Sequence, residues 1–160
     1  MAKLNRICDS KIFPFLFAGC GAGLLLFLLY FNQLPANDTG TRYAPMTRAF
    51  AQGEWIYAYH PHSGILFSTL SGIFAWLGME RDRACQFAVL SLWSTSAMVF
   101  YCLALRLWHK RAIALISEML YLLCSHRHRM VYDGIRDNGR SLGIFLLAWV
   151  ILWFYEERNR

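Results

Sequence analysis

Long uncharged segments dominate this sequence and restrict the folds that are open to it. Residues 12–31 carry no charge over 20 positions, enough for a helix to cross the hydrocarbon core of a bilayer. Of the 160 residues, 57% are hydrophobic and only 16% are charged, whereas soluble domains have about 25% charged residues. Because a soluble core of this size could not hide so much apolar surface, we predict an all-α, polytopic membrane protein with about 4–5 apolar helices.

The apolar segments divide the chain into one predicted membrane module. Besides the span at 12–31, spans are predicted at 84–107, 112–124 and 142–155. The apolar segment at 63–78 is diluted by Ser and Gly and suits either a re-entrant helix or a short span. Two polar stretches remain, the outer loop at 37–62 and the polar loop at 125–141, which we call the first and second polar islands. Glu118 lies inside one predicted span and must find a partner or face protein, because a carboxylate in lipid is costly.

Basic residues set the expected orientation. The N-terminal tail carries Lys3, Arg6 and Lys11 against the single acid Asp9, so we predict a cytoplasmic N-terminus and an outward-facing first island. A signal peptide is the alternative for 12–31, although the run is longer than the apolar part of such peptides. If 63–78 dips and returns, both islands face outward; if it crosses, they lie on opposite faces. Its short length favours the dipping arrangement.

The first island is predicted to contain a short amphipathic helix at the membrane interface. Pro45 would lie in its first turn and Gly53 just past its end. Its candidate N-terminal caps are Asp38, Thr39 and Thr41. Asp38 also stands close to the membrane surface, where a carboxylate can accept a proton from a hydroxyl. Capping and catalysis therefore remain alternatives for this residue.

The second island combines acids with many cations. Asp133 and Asp137 are four residues apart, among basic residues that include Arg136 and Arg140. Guanidinium groups clamp phosphate oxygens, so this cluster suits a phosphate headgroup, while contact with anionic lipid is the alternative. The pair His60 and His62 lacks a metal-binding spacing. An imidazole directed at phosphate is favoured over a metal site, and a ring that fills the membrane interface is favoured over both. The five cysteines show no CxxC spacing, and the scattered basic clusters do not indicate nucleic-acid binding.

The order of these pieces resembles the N-terminal part of the GT-C membrane glycosyltransferases, above all the protein O-mannosyltransferases and the lipid A aminoarabinose transferases. Six phrases carry the resemblance: Asp38 followed by Arg42-Tyr43-Ala44, then Gly53-Glu54-Trp55, His60-Pro61, Leu77-Gly78, Arg106-Leu107-Trp108, and an acid before a later span, Asp137. The likeness covers nearly the whole chain from Ile12 onward. Members of that family are several times longer, so the chain is expected to be incomplete or to need a partner chain.

The resemblance implies transfer of a sugar from a polyprenyl-phosphate donor to a hydroxyl acceptor on the non-cytoplasmic face of a bacterial inner membrane. It implies catalytic roles for Asp38 and Asp137. It implies substrate contacts from Arg42, Tyr43, His60, His62, Arg136 and Arg140. No cofactor is expected, and a divalent metal is left open. The alternative is a non-catalytic membrane subunit or remnant that binds anionic headgroups.

Overall fold

A computed structural model gives the structure of the chain. It describes residues 39–59, 65–124 and 137–158, together with Phe15, Gly19, Gly21 and Gly23 of an earlier helical segment; for residues 39, 40, 137 and 138 it describes only the backbone. A π-helical turn at Thr39–Tyr43 precedes α1 (Ala44–Ala51), α2 (Trp55–Ala58), α3 (Ile65–Trp76), α4 (Arg81–Trp108), α5 (Arg111–Leu122) and α6 (Asp137–Arg158). Because every regular element in these ranges is helical, the predicted all-α fold is confirmed.

The protein is a membrane protein built on two long apolar helices, α4 and α6. They have 28 and 22 residues, lengths of about 42 and 33 Å at about 1.5 Å per residue. Both are long and apolar enough to cross a membrane. The apolar helix α3 has 12 residues, or about 18 Å, which is less than the roughly 30 Å thickness of the hydrocarbon core.

α4 lies at the centre of the fold. The main hydrophobic core lines its N-terminal half and gathers side chains from every neighbouring helix, among them Tyr43, Phe67, Val89, Trp93, Leu122 and Leu142. The earlier helical segment reaches the same region, because a Cβ built on Gly21 would lie 3.2 Å from the ring of Trp93. The core therefore joins elements that are far apart in the sequence around one half of one helix.

The amphipathic helix predicted in the first island is α1. It has Pro45 in its first turn, and Gly53, with φ +78°, lies just beyond its end. The predicted caps Thr39 and Thr41 are wrong: the cap position is Tyr43, whose backbone is itself helical and whose side chain makes no capping bond. The physical reason is that the π-helical turn leads directly into α1, so the helix does not start from an extended residue as a side-chain cap requires.

α1 packs against α3 at a glycine. The ring of Phe50 lies so close to Gly72 that a Cβ on this glycine would overlap it. The two helices can approach in this way only because residue 72 has no side chain.

A buried chain of hydrogen bonds joins α1, α3 and α4 beside this contact. The hydroxyl of Thr47 donates to Ser71 Oγ at 3.0 Å, and Ser71 in turn donates to the carbonyl oxygen of Ser68 at 3.2 Å. Cys85 Sγ lies 3.3 Å from Thr47 Oγ1. Since a hydroxyl has one proton and that of Thr47 is given to Ser71, the thiol of Cys85 donates to Thr47. The chain therefore runs in one direction across three helices.

Removing the Thr47 hydroxyl is expected to destabilise the fold. Thr47→Val keeps the shape of the side chain but deprives Ser71 of its donor and Cys85 of its acceptor, at a cost of about 1–3 kcal/mol. Thr47→Ser retains the hydroxyl and is expected to cost less. Unfolding by SDS titration in micelles, followed by circular dichroism, measures both variants. The exposed Thr95 on α4 supplies the matched control Thr95→Val, and equal midpoints for the two valine variants would show that the chain contributes nothing.

The boundaries of the later helices differ from those predicted. α5 ends at Leu122, and α6 begins at Asp137, so 137–141 is helical and does not belong to the polar loop. These residues pack on α4: a Cβ on Gly139 would lie 3.4 Å from Leu92, and Ser141 is buried. Hydropathy locates only the apolar part of a helix, whereas small and polar residues extend it wherever they find a packing surface.

Glu118 of α5 faces protein, which is one of the two alternatives predicted for it. It is fully buried and shares the packed face of its helix with Ala114, Leu115 and Leu122. Within the part of the chain that the structure describes, neither carboxylate oxygen has a hydrogen-bond partner. The helix therefore buries its acid against the bundle and presents Ile116 and Leu120 outward.

The far ends of α4 and α6 are tied by an ion pair. Arg106 donates from Nε and from a terminal nitrogen to the two oxygens of Glu156, at 2.8 and 2.7 Å. Its guanidinium carbon also lies 5.2 Å from the centre of the Trp149 ring. A bidentate pair combined with a cation–π contact fixes the register of the two helices.

Candidate functional site

The residues predicted for the site divide into described and undescribed positions. Four of them, Asp38, His60, His62 and Arg136, lie outside the described residues. Asp137 is described by its backbone, which opens α6. Arg42, Tyr43 and Arg140 are described with their side chains. The geometry of the site is therefore built from the two helix starts that carry these residues.

The π-helical turn gives its neighbouring residues Arg42 and Tyr43 different environments. Arg42 is exposed, whereas Tyr43 is only 6% exposed and lies edge-on to the ring of Phe67, with the ring centres 5.3 Å apart. The buried tyrosine attaches the turn to α3, so the adjacent arginine projects from a fixed backbone. The resemblance implied substrate contacts from both residues, whereas the structure exposes Arg42 and buries Tyr43.

α1 continues the exposed basic side of this turn. Arg48 is exposed, and its Nε donates to Gln52 Oε1 at 3.2 Å. Tyr43 and Met46 pack in the hydrophobic core, and Phe50 contacts Gly72 of α3. The helix is thus amphipathic, with cations outside and aromatic and aliphatic side chains against α3 and α4.

The second helix start has a similar division. Arg140 is exposed, while Ser141 and Leu142 are buried against the bundle. Asp137, described by its backbone alone, is the first residue of α6. A basic residue therefore projects one turn after the acid that the sequence singled out.

The two helix starts meet on the same half of α4. Tyr43 from the first and Leu142 from the second belong to one hydrophobic core, which lines α4 from Cys85 to Ala97. The opposite end of α4 carries the pair of Arg106 and Glu156. The described ends of two polar islands nearly a hundred residues apart in sequence thus contribute to the same core.

Within the described residues, no three His, Cys, Asp or Glu side chains lie close enough to hold a metal ion. Cys85, Cys102 and Cys124 are free thiols, and Cys85 is occupied by the hydrogen bond to Thr47. A metal bound by the predicted acids would need Asp38 or the side chain of Asp137, which lie outside the described residues or are described by backbone alone.

Two structural features near these helix starts were not predicted from the sequence. In the hydrogen-bond chain, Ser71 and Cys85 lie 24 and 38 positions from Thr47 in sequence. Only Ser71 carried a sequence signal, as a polar residue within the apolar segment 63–78. Gly72 lies in the same segment, where Ser and Gly interrupt the apolar residues. Neither the partners of these residues nor their contact with α1 follows from local spacing.

The fold defines an all-helical membrane protein whose two described helix starts pack on one central helix and expose basic residues. No family model matches the chain, and no solved structure matches it. Curated proteins do. Undecaprenyl phosphate-alpha-4-amino-4-deoxy-L-arabinose arabinosyl transferases from Yersinia pestis strain Pestoides F and Yersinia pseudotuberculosis serotype O:1b are each 30% identical over 118 residues, covering 64% of this chain and 21% of the relative.

A third relative of the same name, from Photorhabdus laumondii, is 29% identical over 121 residues, with the same coverage of both chains. The resemblance to the aminoarabinose transferases that the sequence indicated is therefore confirmed. The chain spans about a fifth of the length of the curated relatives it matches. Its correspondence to their N-terminal part stays a prediction.

Proposed function

We propose that this chain is a glycosyltransferase-like membrane module that takes part in transferring a sugar from a polyprenyl-phosphate donor to a hydroxyl acceptor. The observation that carries the proposal is its similarity over 118 residues to transferases whose name specifies an undecaprenyl-phosphate sugar. The all-α membrane fold and the exposed cations Arg42 and Arg140 support it. Cations at the membrane surface are what a lipid-linked phosphate requires.

In this proposal Asp38 is the general base that removes the proton from the acceptor hydroxyl as the oxygen attacks the sugar. The bond from the sugar to the phosphate breaks with inversion, and the departing phosphate keeps the electron pair. Arg136, Arg140 and His60 stabilise that phosphate. Asp137 orients the acceptor or holds a divalent cation.

Arg42, Tyr43 and His62 complete the proposed set of substrate-binding residues. The exposure of Arg42 supports a direct contact with the donor phosphate. The packing of Tyr43 on Phe67 supports a role in which its ring holds the turn that presents Arg42. The bidentate geometry of a guanidinium group makes Arg42 the better phosphate ligand of the two.

We expect both polar islands to face the same, non-cytoplasmic side of an inner membrane. The support is the common position of the two helix starts on α4 and the short length of α3. Single cysteines at Thr41 and Asn138, in a background without the native cysteines, are expected to react with an impermeant maleimide from the same side of sealed vesicles. Labelling from opposite sides would mean that the segment at 63–78 crosses the membrane.

The 160 residues alone are expected to bind a polyprenyl phosphate weakly and to turn over no substrate, because transfer needs donor and acceptor held together in reactive geometry. A chimera in which this chain replaces the matched segment of the Yersinia pestis transferase is expected to restore transfer. Radiolabelled donor consumption measures both proteins. Turnover by the isolated chain would contradict the first expectation. A folded chimera without activity would favour the non-catalytic alternative.

A further inference from the structure

Residues 55–59, which we call the aromatic turn, expose an unusual amount of apolar surface. Trp55 is 56% exposed, Ile56 is 89% exposed and Tyr57 is 73% exposed, while Ala58 is fully buried. The turn contains α2 and follows Gly53, whose positive φ redirects the chain after α1. Three large side chains therefore project from a segment that is attached to the protein through its small residue.

The aromatic turn is held rigidly beside α3. The ring of Trp55 lies edge-on to Phe50, with the ring centres 4.8 Å apart, and Phe50 covers Gly72 of α3. The hydroxyl of Tyr59 is 3.1 Å from the hydroxyl of Thr69 on the same helix. These contacts place the turn along the middle of α3, between Thr69 and Gly72.

The solvent-accessible side chains of α3 also include large apolar ones. Ile65, Leu66, Ile73 and Trp76 are all exposed. The aromatic turn and α3 are in direct contact. We therefore expect their exposed side chains to face the same surroundings. In a membrane protein these surroundings are lipid, which stabilises exposed apolar surface by about 25 cal/mol for each Å² removed from water.

The charges nearby point to the boundary of the bilayer and not to its centre. Arg42 and Arg48 are exposed on the π-helical turn and on α1, and Glu54 is exposed at the start of α2. Cations of this kind complement anionic headgroups. Trp and Tyr rings, which are apolar with one polar edge, are enriched at the same level of the membrane.

We propose that the aromatic turn inserts into the headgroup and upper acyl region of an anionic bilayer, with Trp55, Ile56 and Tyr57 as anchors and Arg48 at the headgroups. The insertion holds α1, and with it Arg42, at the membrane surface. Because the proposal concerns lipid and not sugar transfer, it stands or falls independently of the transferase function.

Depth-dependent quenching of Trp55 fluorescence tests this insertion. The whole chain is reconstituted into vesicles of phosphatidylcholine and phosphatidylglycerol whose acyl chains are brominated either near the headgroup or near the chain end. Subtracting the emission of Trp55→Phe, which keeps a ring on Phe50, from that of the unmodified protein isolates the signal of Trp55. The same subtraction with Trp153→Phe, on the lipid-exposed side of α6, verifies that bromine reaches the protein.

The Trp55 signal is expected to be quenched by lipid bromine, more strongly by the shallow position, and to be protected from iodide in the aqueous phase. Ile56→Asp is expected to remove most of this quenching, while Ala112→Asp, which makes the same charge change at an exposed position in the first turn of α5, leaves it unchanged. Quenching by iodide alone would place the turn in water. Protection from both bromine and iodide would mean that protein covers it. Either result overturns the proposal.

Discussion

Asp38→Asn is expected to lower the rate of sugar transfer by about 10²- to 10⁴-fold, the usual contribution of a general base. Asparagine has the size of aspartate but cannot accept the proton of the acceptor hydroxyl. The chimera with the Yersinia pestis transferase provides the active form in which the rate is measured. Expression and thermal stability of the variant are expected to match those of the unmodified chimera, because Asn caps a helix about as well as Asp.

Asp38→Ala separates catalysis from capping. If the carboxylate only caps the turn at Thr39–Tyr43, Asp38→Asn retains full activity and Asp38→Ala lowers stability by about 0.5–2 kcal/mol. If the carboxylate is the base, both variants lose the rate to a similar extent. Full activity in Asp38→Asn would remove the main catalytic assignment and most of the support for an enzyme. The structure makes Tyr43 the cap of α1 itself, so a capping role for Asp38 would concern the preceding turn.

Gly72→Leu is expected to have the second large effect. The new side chain would occupy the space of the Phe50 ring, and overpacking of this kind typically costs about 1–3 kcal/mol. Moving α1 away from α3 also moves Arg42, and a displacement of about 1 Å at a reacting site can lower a rate about 10²-fold. Both the SDS unfolding midpoint of the isolated chain and the transfer rate of the chimera are expected to fall.

A matched control and a double mutant identify the cause. Gly143→Leu makes the same change in α6, where nothing lies within 4 Å of a new Cβ, and it is expected to be neutral or slightly stabilising because Gly is a poor helix former. Phe50→Ala combined with Gly72→Leu is expected to recover stability relative to Gly72→Leu alone. Strict additivity of the two single effects would show that the residues are not in contact.

Local pattern accounted for the helices and for their exposed and buried faces. Uncharged runs identified α4 and α6 as candidate spans, and an amphipathic helix was predicted around Pro45, where α1 lies. The resemblance to aminoarabinose transferases was also available in the sequence, and relatives of that name match the chain at 30% identity. These features depend on residue type and on spacing within a few helical turns, and both can be read directly from the sequence.

The tertiary structure decided which of these pieces touch. Nothing in the local pattern joined Thr47 to Ser71 and Cys85, or Arg106 to Glu156 fifty residues later. The cap expected at Thr39 or Thr41 failed because a π-helical turn, packed through Tyr43 on Phe67, continues into α1. Long-range packing selects among locally allowed conformations, so the meeting of the two helix starts on one half of α4 came from the fold and not from the order of residues.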